Sequence, residues 1–155
     1  MGPSSISWTA AAPRIADRSA LASKSAVAAA LRRCRPLFRR SVLVVAPAGH
    51  GGWEAVRIAS DQGARVTALC PDEQASEALA AGAEVVLDPA RTDPTCYRGA
   101  WSVIVDPAGG IGFRRAMASL APGGVYVTPS VRLSDRARAL LARLSGGPRL
   151  LSARG

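Results

Sequence analysis

The stretch SVLVVAPAGHGGWEAVRIASDQGARVTALC, residues 41–70, decides the fold of this chain. It opens with the apolar, β-branched run at residues 41–46, which is typical of a strand that lies buried inside a parallel sheet. A glycine-rich loop and a helical segment follow, and Gly63 can end that helix in a left-handed conformation. Residues 64–70 then form a second apolar run. This order of strand, helix and strand predicts a βαβ unit in a parallel sheet.

Strands and helices keep alternating on both sides of this unit. Further helices are predicted at residues 19–33, 72–81, 112–121 and 134–145, and further strands at residues 83–88, 101–106, 125–129 and 149–153. Because nearly all crossovers between parallel strands are right-handed, six such strands favour an α/β, Rossmann-like, doubly wound parallel sheet in the order 3-2-1-4-5-6 with helices on both faces. We expect one domain over residues 19–155, preceded by an N-terminal arm at residues 1–18.

Composition limits the possible partners. A chain of 155 residues with 48% hydrophobic content is long enough for one buried core. The net charge of +9 favours acidic partners such as phosphates, nucleic acid or an anionic carrier protein, although a GC-rich genome gives the same bias toward arginine. No recognition helix or stacking aromatic pattern accompanies the charge, so we do not expect a nucleic-acid partner.

The cysteines indicate neither a disulfide framework nor a metal site. Cys34, Cys70 and Cys96 are odd in number, widely spaced and without a CxxC pair, which fits a reducing cytoplasm. No apolar run approaches the roughly 20 residues that span a bilayer. We therefore expect a soluble, cytoplasmic protein that binds no metal and no membrane.

Four segments together resemble a known family. They are SVLVVAPAGHGGWEAVRIASDQGARVTAL, LAAGAEVVLDP, WSVIVDPAGG and FRRAMASLAPGGVYV. In this order and spacing they are similar to the nucleotide-binding half of the medium-chain dehydrogenases/reductases, in the branch of quinone oxidoreductases and polyketide enoyl reductases. The resemblance covers residues 19–128. It implies a separate catalytic domain before this half, whereas only about 18 residues precede the first predicted helix here, so we expect that the catalytic domain is lacking.

The glycine loop departs from the pattern that the resemblance implies. In AxGGVG or GxGGxG, glycines let backbone amides approach a pyrophosphate at the helix N-terminus. Gly49 and Gly52 match that pattern, and with Gly51 they are the candidate cofactor-binding residues. Pro47 removes an amide, and His50 brings an imidazole to a position where glycine or alanine is usual.

The residues at the end of the second predicted strand favour neither NAD nor NADP. Cys70 stands where NAD-dependent proteins place an acid for the ribose hydroxyl, and no Lys or Arg is near it in the sequence to favour a 2′-phosphate. We therefore expect no cofactor, with NADP(H) as the alternative.

Two residues could perform acid/base chemistry at the point where the strand order reverses. His50 is the only histidine, and Asp106 ends the fourth strand, beside the first. With a pKa of about 6.5, a histidine can transfer protons near neutrality. The alternatives are an exposed or merely satisfied His50 and an Asp106 that holds the loop after its own strand. Trp53, Thr128 and Ser130 are candidate substrate-binding residues at the same edge.

Three functions remain open. The first is a small tailoring enzyme of polyketide-like metabolism that catalyses a redox-neutral cyclisation, isomerisation or dehydration on a small apolar substrate, free or bound to a carrier protein. The second is an NADP(H)-dependent quinone or enoyl reductase completed by a partner chain. The third is a non-catalytic module that binds a carrier protein. In each case we expect a homodimer through the last strand, residues 149–153, because an unpaired edge invites pairing.

Overall fold

The computed structural model describes residues 18–34, 36–45, 51–128 and 149–152, and it shows the predicted alternation of helices and strands. The helices are α1 Arg18–Arg33, α2 Gly52–Asp61, α3 Ala75–Ala81 and α4 Phe113–Ser119. The strands are β1 Ser41–Val45, β2 Arg65–Leu69, β3 Val85–Leu87, β4 Trp101–Val105, β5 Leu120–Thr128 and β6 Arg149–Ser152. The predicted helix at 134–145 lies outside the described residues.

The strands form one parallel sheet in the order β3-β2-β1-β4-β5-β6, which confirms the predicted topology. The order reverses between β1 and β4, where Val42 lies beside Val103 and Val44 beside Val105. The carboxyl ends of these two strands therefore border the crevice in which such sheets bind ligands.

The core has two parts, one on each face of the sheet. Along β1, Val42 and Val44 face the cluster that packs under α1 and α2, while Leu43 and Val45 face the cluster that packs under α4. All four side chains are at most 2% exposed. A strand buried on both faces must be apolar at every position, and this explains the unbroken run that opens the glycine-loop stretch.

Two boundaries differ from the sequence prediction. The helix expected at residues 72–81 begins as a 3₁₀ turn at Asp72–Gln74, because Gln74 lies outside helical geometry at φ −101° and ψ 2°. Residues 122–124, which separate the predicted helix at 112–121 from the predicted strand at 125–129, lie inside β5, where the pairing with β4 shifts between Trp101 and Val103. Gly123 takes φ 72° within that irregularity.

Glycines with positive φ follow the ends of two helices. Gly63, at φ 75°, follows α2, and the amide of Ala64 donates to the carbonyl of Ala59 at 3.1 Å. Gly82, at φ 109°, follows α3 with the same kind of bond. This arrangement satisfies carbonyls at the helix end and requires a residue that tolerates positive φ.

We predict that Gly82→Ala destabilises the protein by about 2–4 kcal/mol, from left-handed strain and overpacking together. An added Cβ would lie 2.7 Å from the Cβ of Ser60 on α2. Gly99→Ala is the matched control, because Gly99 has φ 65° but no neighbour within 4 Å of an added Cβ. Urea unfolding of both variants measures the difference, and equal losses would show that the contact with Ser60 contributes nothing.

Candidate functional site

The structure brings several predicted site residues to the edge formed by the carboxyl ends of the strands. Gly51 and Gly52 open α2, the helix that follows β1 in the chain, Asp106 follows β4, and Thr128 ends β5. Gly49, His50 and Ser130 lie outside the described residues, so their roles stay predictions.

The N-terminus of α2 is set by a glycine. Gly51 is the N-cap residue in the left-handed conformation, at φ 76° and ψ 10°, and no side chain caps the helix. The carbonyl of Gly51 accepts from the amide of Ala55 at 3.0 Å. The first-turn amides of a helix have no partner within the helix, and they favour negative charge. This end of α2 can therefore receive an anionic group.

Asp106 is an anchor for the loop that follows β4. Its side chain is fully buried, and the amides of Gly110 and Ile111 donate to Oδ1 and Oδ2 at 3.0 and 2.8 Å. The hydroxyl of Tyr126 donates to Oδ2 at 2.9 Å. Three donors satisfy a buried carboxylate that has no cation beside it in the described part of the chain. The geometry therefore favours the loop-holding alternative for Asp106 over acid/base work.

Tyr126 is a functional-site residue that the sequence analysis missed. It lies in β5, is 2% exposed, and packs with Phe113 of α4 at a ring-centroid distance of 6.2 Å. Burial, together with the nearby carboxylate of Asp106, raises the pKa of Tyr126 well above its ordinary value. The hydroxyl therefore remains a donor to Asp106. A tyrosine inside a strand buried on both faces is the signal that could have revealed it, because its hydroxyl needs a buried partner.

The predicted substrate-binding residues have different environments. Trp53, in the first turn of α2, is half-buried and packs against the core cluster on the α1 side of the sheet. Thr128 is 2% exposed, and its side chain lies within hydrogen-bonding reach of the Tyr126 hydroxyl. Both residues are close to the crevice, but neither offers a fully exposed contact surface.

At the neighbouring strand ends the structure corrects one expectation. Although no cation is near Cys70 in the sequence, Arg91 after β3 lies beside Asp72 after β2, with a distance of 3.2 Å between Nη2 and Oδ2. The same guanidinium is 3.7 Å from Oδ2 of Asp88. Arg91 is exposed, so a cation is available at this edge, where it is shared by two carboxylates.

By sequence, Arg57, Arg114 and Arg115 could form either a positive rim or ordinary solvated helix faces. Arg115 forms an ion pair with Asp93 at the 3₁₀ turn before β4. Arg57 and Arg114 are exposed and belong to different helices. The structure therefore gives no support to a continuous rim.

The described residues contain neither a metal-binding cluster nor a membrane-spanning helix. No His, Cys, Asp and Glu side chains come together there in a group of three that could hold a metal ion. Within the same ranges, no helix has the length and apolar character needed to cross a membrane.

Comparisons with known proteins agree with this geometry. The chain resembles a quinone oxidoreductase from Coxiella burnetii (20% identity, TM-score 0.68), covering 86% of this chain and 42% of that one. It also resembles a thermostable alcohol dehydrogenase from Pyrobaculum aerophilum (28% identity, TM-score 0.62), covering 88% and 40%. A mycobacterial protein complexed with NADPH matches at 26% identity and a TM-score of 0.60, covering 85% and 43%.

This chain has the nucleotide-binding fold of the medium-chain dehydrogenases and reductases. The resemblance drawn from the four sequence segments is thereby confirmed. The Rossmann domain spans about two fifths of the length of the solved structures that it matches. No family model matches its sequence, and no curated protein does.

We predict that Tyr126→Phe lowers the free energy of unfolding of the Rossmann domain by about 1.5–3 kcal/mol, because a buried carboxylate loses a donor. Urea unfolding measures the loss, and hydrogen exchange at the amides of Gly110 and Ile111 should become faster. Tyr97→Phe is the control, since Tyr97 is 51% exposed. Unchanged exchange at both amides in Tyr126→Phe would show that this hydroxyl does not hold the loop.

We also predict that stability falls as pH rises above about 9. Burial raises the pKa of the Cys70 thiol from 9.0 to about 11, and the carboxylates of Asp88, Asp72 and Glu77 add to the rise. As pH rises, the thiol loses its proton in the unfolded state first. The contribution of the protonated Cys70 thiol to the free energy of unfolding is therefore complete below pH 9 and is lost toward pH 11. Cys70→Ala should reduce the decline by up to about 1.4 kcal/mol per pH unit.

Urea unfolding at several pH values between 8 and about 11 measures that slope. Cys96→Ala is the control, because Cys96 is exposed. A Cys70→Ala slope equal to that of the unsubstituted protein would contradict the prediction.

Proposed function

We propose that this chain is the nucleotide-binding part of an oxidoreductase and that it holds NADP(H) in the crevice between β1 and β4. The observation that carries the proposal is the uncapped, glycine-opened N-terminus of α2 at the point of strand reversal. Rossmann-type sheets place the pyrophosphate of a dinucleotide at this position. The likeness to a structure complexed with NADPH supports the choice of cofactor.

The residues around the crevice fit such a group. The first-turn amides of α2 would hold the pyrophosphate, and Gly52 is buried there without a side chain to block the approach. The loop held by Asp106 would form the opposite wall, since its backbone is fixed by two hydrogen bonds. Arg91 would meet a 2′-phosphate if that phosphate displaced Asp72.

The bound cofactor would supply hydride transfer, whereas the protein supplies binding and orientation. In this proposal the substrate side of the reaction is supplied by a partner chain or another domain, and the substrate class is a quinone or an enoyl compound. The described residues would form the binding surface for the cofactor, because α2 and the loop after β4 both pack against the buried strands of the sheet.

A second candidate is a cofactor-independent enzyme that uses His50 with Asp106 in a cyclisation, isomerisation or dehydration of an apolar, polyketide-like substrate. One observation favours it: Cys70 is 1% exposed at the place where a ribose-binding carboxylate would stand. In this candidate Trp53, Thr128 and Ser130 line the substrate site. Its weakness is the buried carboxylate of Asp106, whose three donors leave it little freedom to act on His50.

Calorimetric titration with NADPH and NADH distinguishes the two candidates. NADPH should bind. Arg91→Ala should lower the affinity for NADPH by about 10-fold or more, because a charged hydrogen bond to the 2′-phosphate is lost, and should lower the affinity for NADH less. Asp72→Asn should raise the affinity for NADPH, since it removes the carboxylate that competes for Arg91. Arg98→Ala is the matched control, an exposed arginine away from the crevice.

Absence of binding by either dinucleotide at millimolar concentration, in protein shown to be folded, would reject the proposed function. Turnover of an apolar polyketide-like substrate without cofactor, abolished in His50→Ala, would instead support the second candidate.

A further inference from the structure

Charge is distributed unequally between the two ends of the sheet. At the carboxyl ends, where the crevice lies, Asp72 after β2 pairs with Arg91 after β3. At the amino ends, exposed arginines gather without such pairing. The excess positive charge of these described residues is thus directed away from the proposed cofactor site, and a bound dinucleotide does not account for it.

We name this group the arginine surface. It consists of Arg32, Arg33, Phe38, Arg39, Arg40 and Arg65, all exposed.

Backbone contacts make the arginine surface continuous. The amide of Arg65, the first residue of β2, donates to the carbonyl of Arg40 at 2.9 Å. The amide of Arg39 donates to the carbonyl of Gly63 at 2.7 Å. The amide of Arg40 donates to the carbonyl of Leu37 at 2.9 Å, and Leu37 packs in the same core cluster as Cys34 at the end of α1. The segment before β1 therefore joins the end of α1 to the start of β2.

Among the described residues, no acid forms an ion pair with the arginine surface. The ion pairs among residues 18–34, 36–45, 51–128 and 149–152 involve Arg91 and Arg115, and none includes an arginine of this surface. Asp61 and Glu84 are the acids on elements that end or begin at this edge, and neither is paired with it. Five like charges held together repel one another, and an acidic partner would remove that repulsion.

An aromatic side chain lies among these charges. Phe38 is 68% exposed, and the guanidinium carbon of Arg39 lies 5.6 Å from its ring centroid. A Cβ at Gly63 would be 2.7 Å from Cδ2 of Phe38, so the ring rests against that glycine. Arg39 itself has φ 59°, a left-handed conformation that costs an L-residue roughly 1–2 kcal/mol. The backbone thus holds an aromatic ring and a cation together in an exposed position.

We propose that the arginine surface binds an acidic protein. Aromatic residues and arginine are enriched in protein interfaces and lysine is depleted, which matches a surface of five arginines around one phenylalanine. Arginine also binds carboxylates through two parallel hydrogen bonds. A nucleic acid fits less well, because base stacking needs a free ring and Gly63 and Arg39 already lie against Phe38.

Fluorescence anisotropy with a fluorescein-labelled peptide of alternating Glu and Leu tests the proposal on the full chain. Arg39→Asn combined with Arg65→Gln should weaken binding by about 10-fold, as expected when interface arginines are truncated. Asn tolerates the left-handed conformation at position 39. Phe38→Ala should weaken binding severalfold although it changes no charge.

The matched control is Arg57→Gln with Arg114→Gln, which removes the same charge from exposed positions on α2 and α4. It should change the affinity less than about twofold, because neither arginine belongs to the arginine surface and a charge outside the contact area acts only through a field that salt screens. Circular dichroism confirms that each variant is folded. An equal loss in the control, or no effect of Phe38→Ala, would show that only net charge matters and would reject the proposal.

A single-stranded oligonucleotide and phosphatidylserine vesicles complete the test. Tighter binding of either probe than of the peptide, lost in the Arg39 and Arg65 double variant, would show that the partner is not an acidic protein. Neither result depends on whether NADPH binds at the other end of the sheet.

Discussion

Burial of β1 on both faces is the constraint on which the rest of the structure depends. Val42 and Val44 need cover from α1 and α2, while Leu43 and Val45 need cover from α4 on the opposite face. A parallel strand in this position requires crossover connections. These connections place the point where the strand order reverses next to β1. The crevice between β1 and β4 is therefore a consequence of how the central strand is covered.

The crevice is held by polar contacts that this core makes possible. Asp106 follows β4, Tyr126 lies on the adjacent strand β5, and both are buried, so their hydrogen bond forms where water does not compete. The same carboxylate fixes the amides of Gly110 and Ile111. Asp106 has the chemistry of a catalytic acid, but here it fixes the loop that forms one wall of the crevice. The other wall begins at Gly51, the glycine that opens α2.

The two ends of the sheet have different electrostatics, which suggests separate roles. At the carboxyl-end edge Arg91 is paired with Asp72, whereas the described arginines at the amino-end edge form no ion pair with the acids there. In the proposals made here, the first edge receives a dinucleotide and the second an acidic protein. A cofactor site and a docking surface on opposite ends of one domain can be occupied together, because neither shares residues with the other.

The sequence by itself determined the alternation of helices and strands, the order of the sheet and the glycine that follows α2, because hydrophobic period and tolerance of positive φ are local properties. It also placed Asp106 at the crevice. It could not show that Tyr126 donates to Asp106, or that Arg91 meets Asp72, since these partners are 20 and 19 residues apart in sequence and meet only when strands pair. Only the tertiary structure decided these contacts, because burial and strand register fix which distant side chains share a partner.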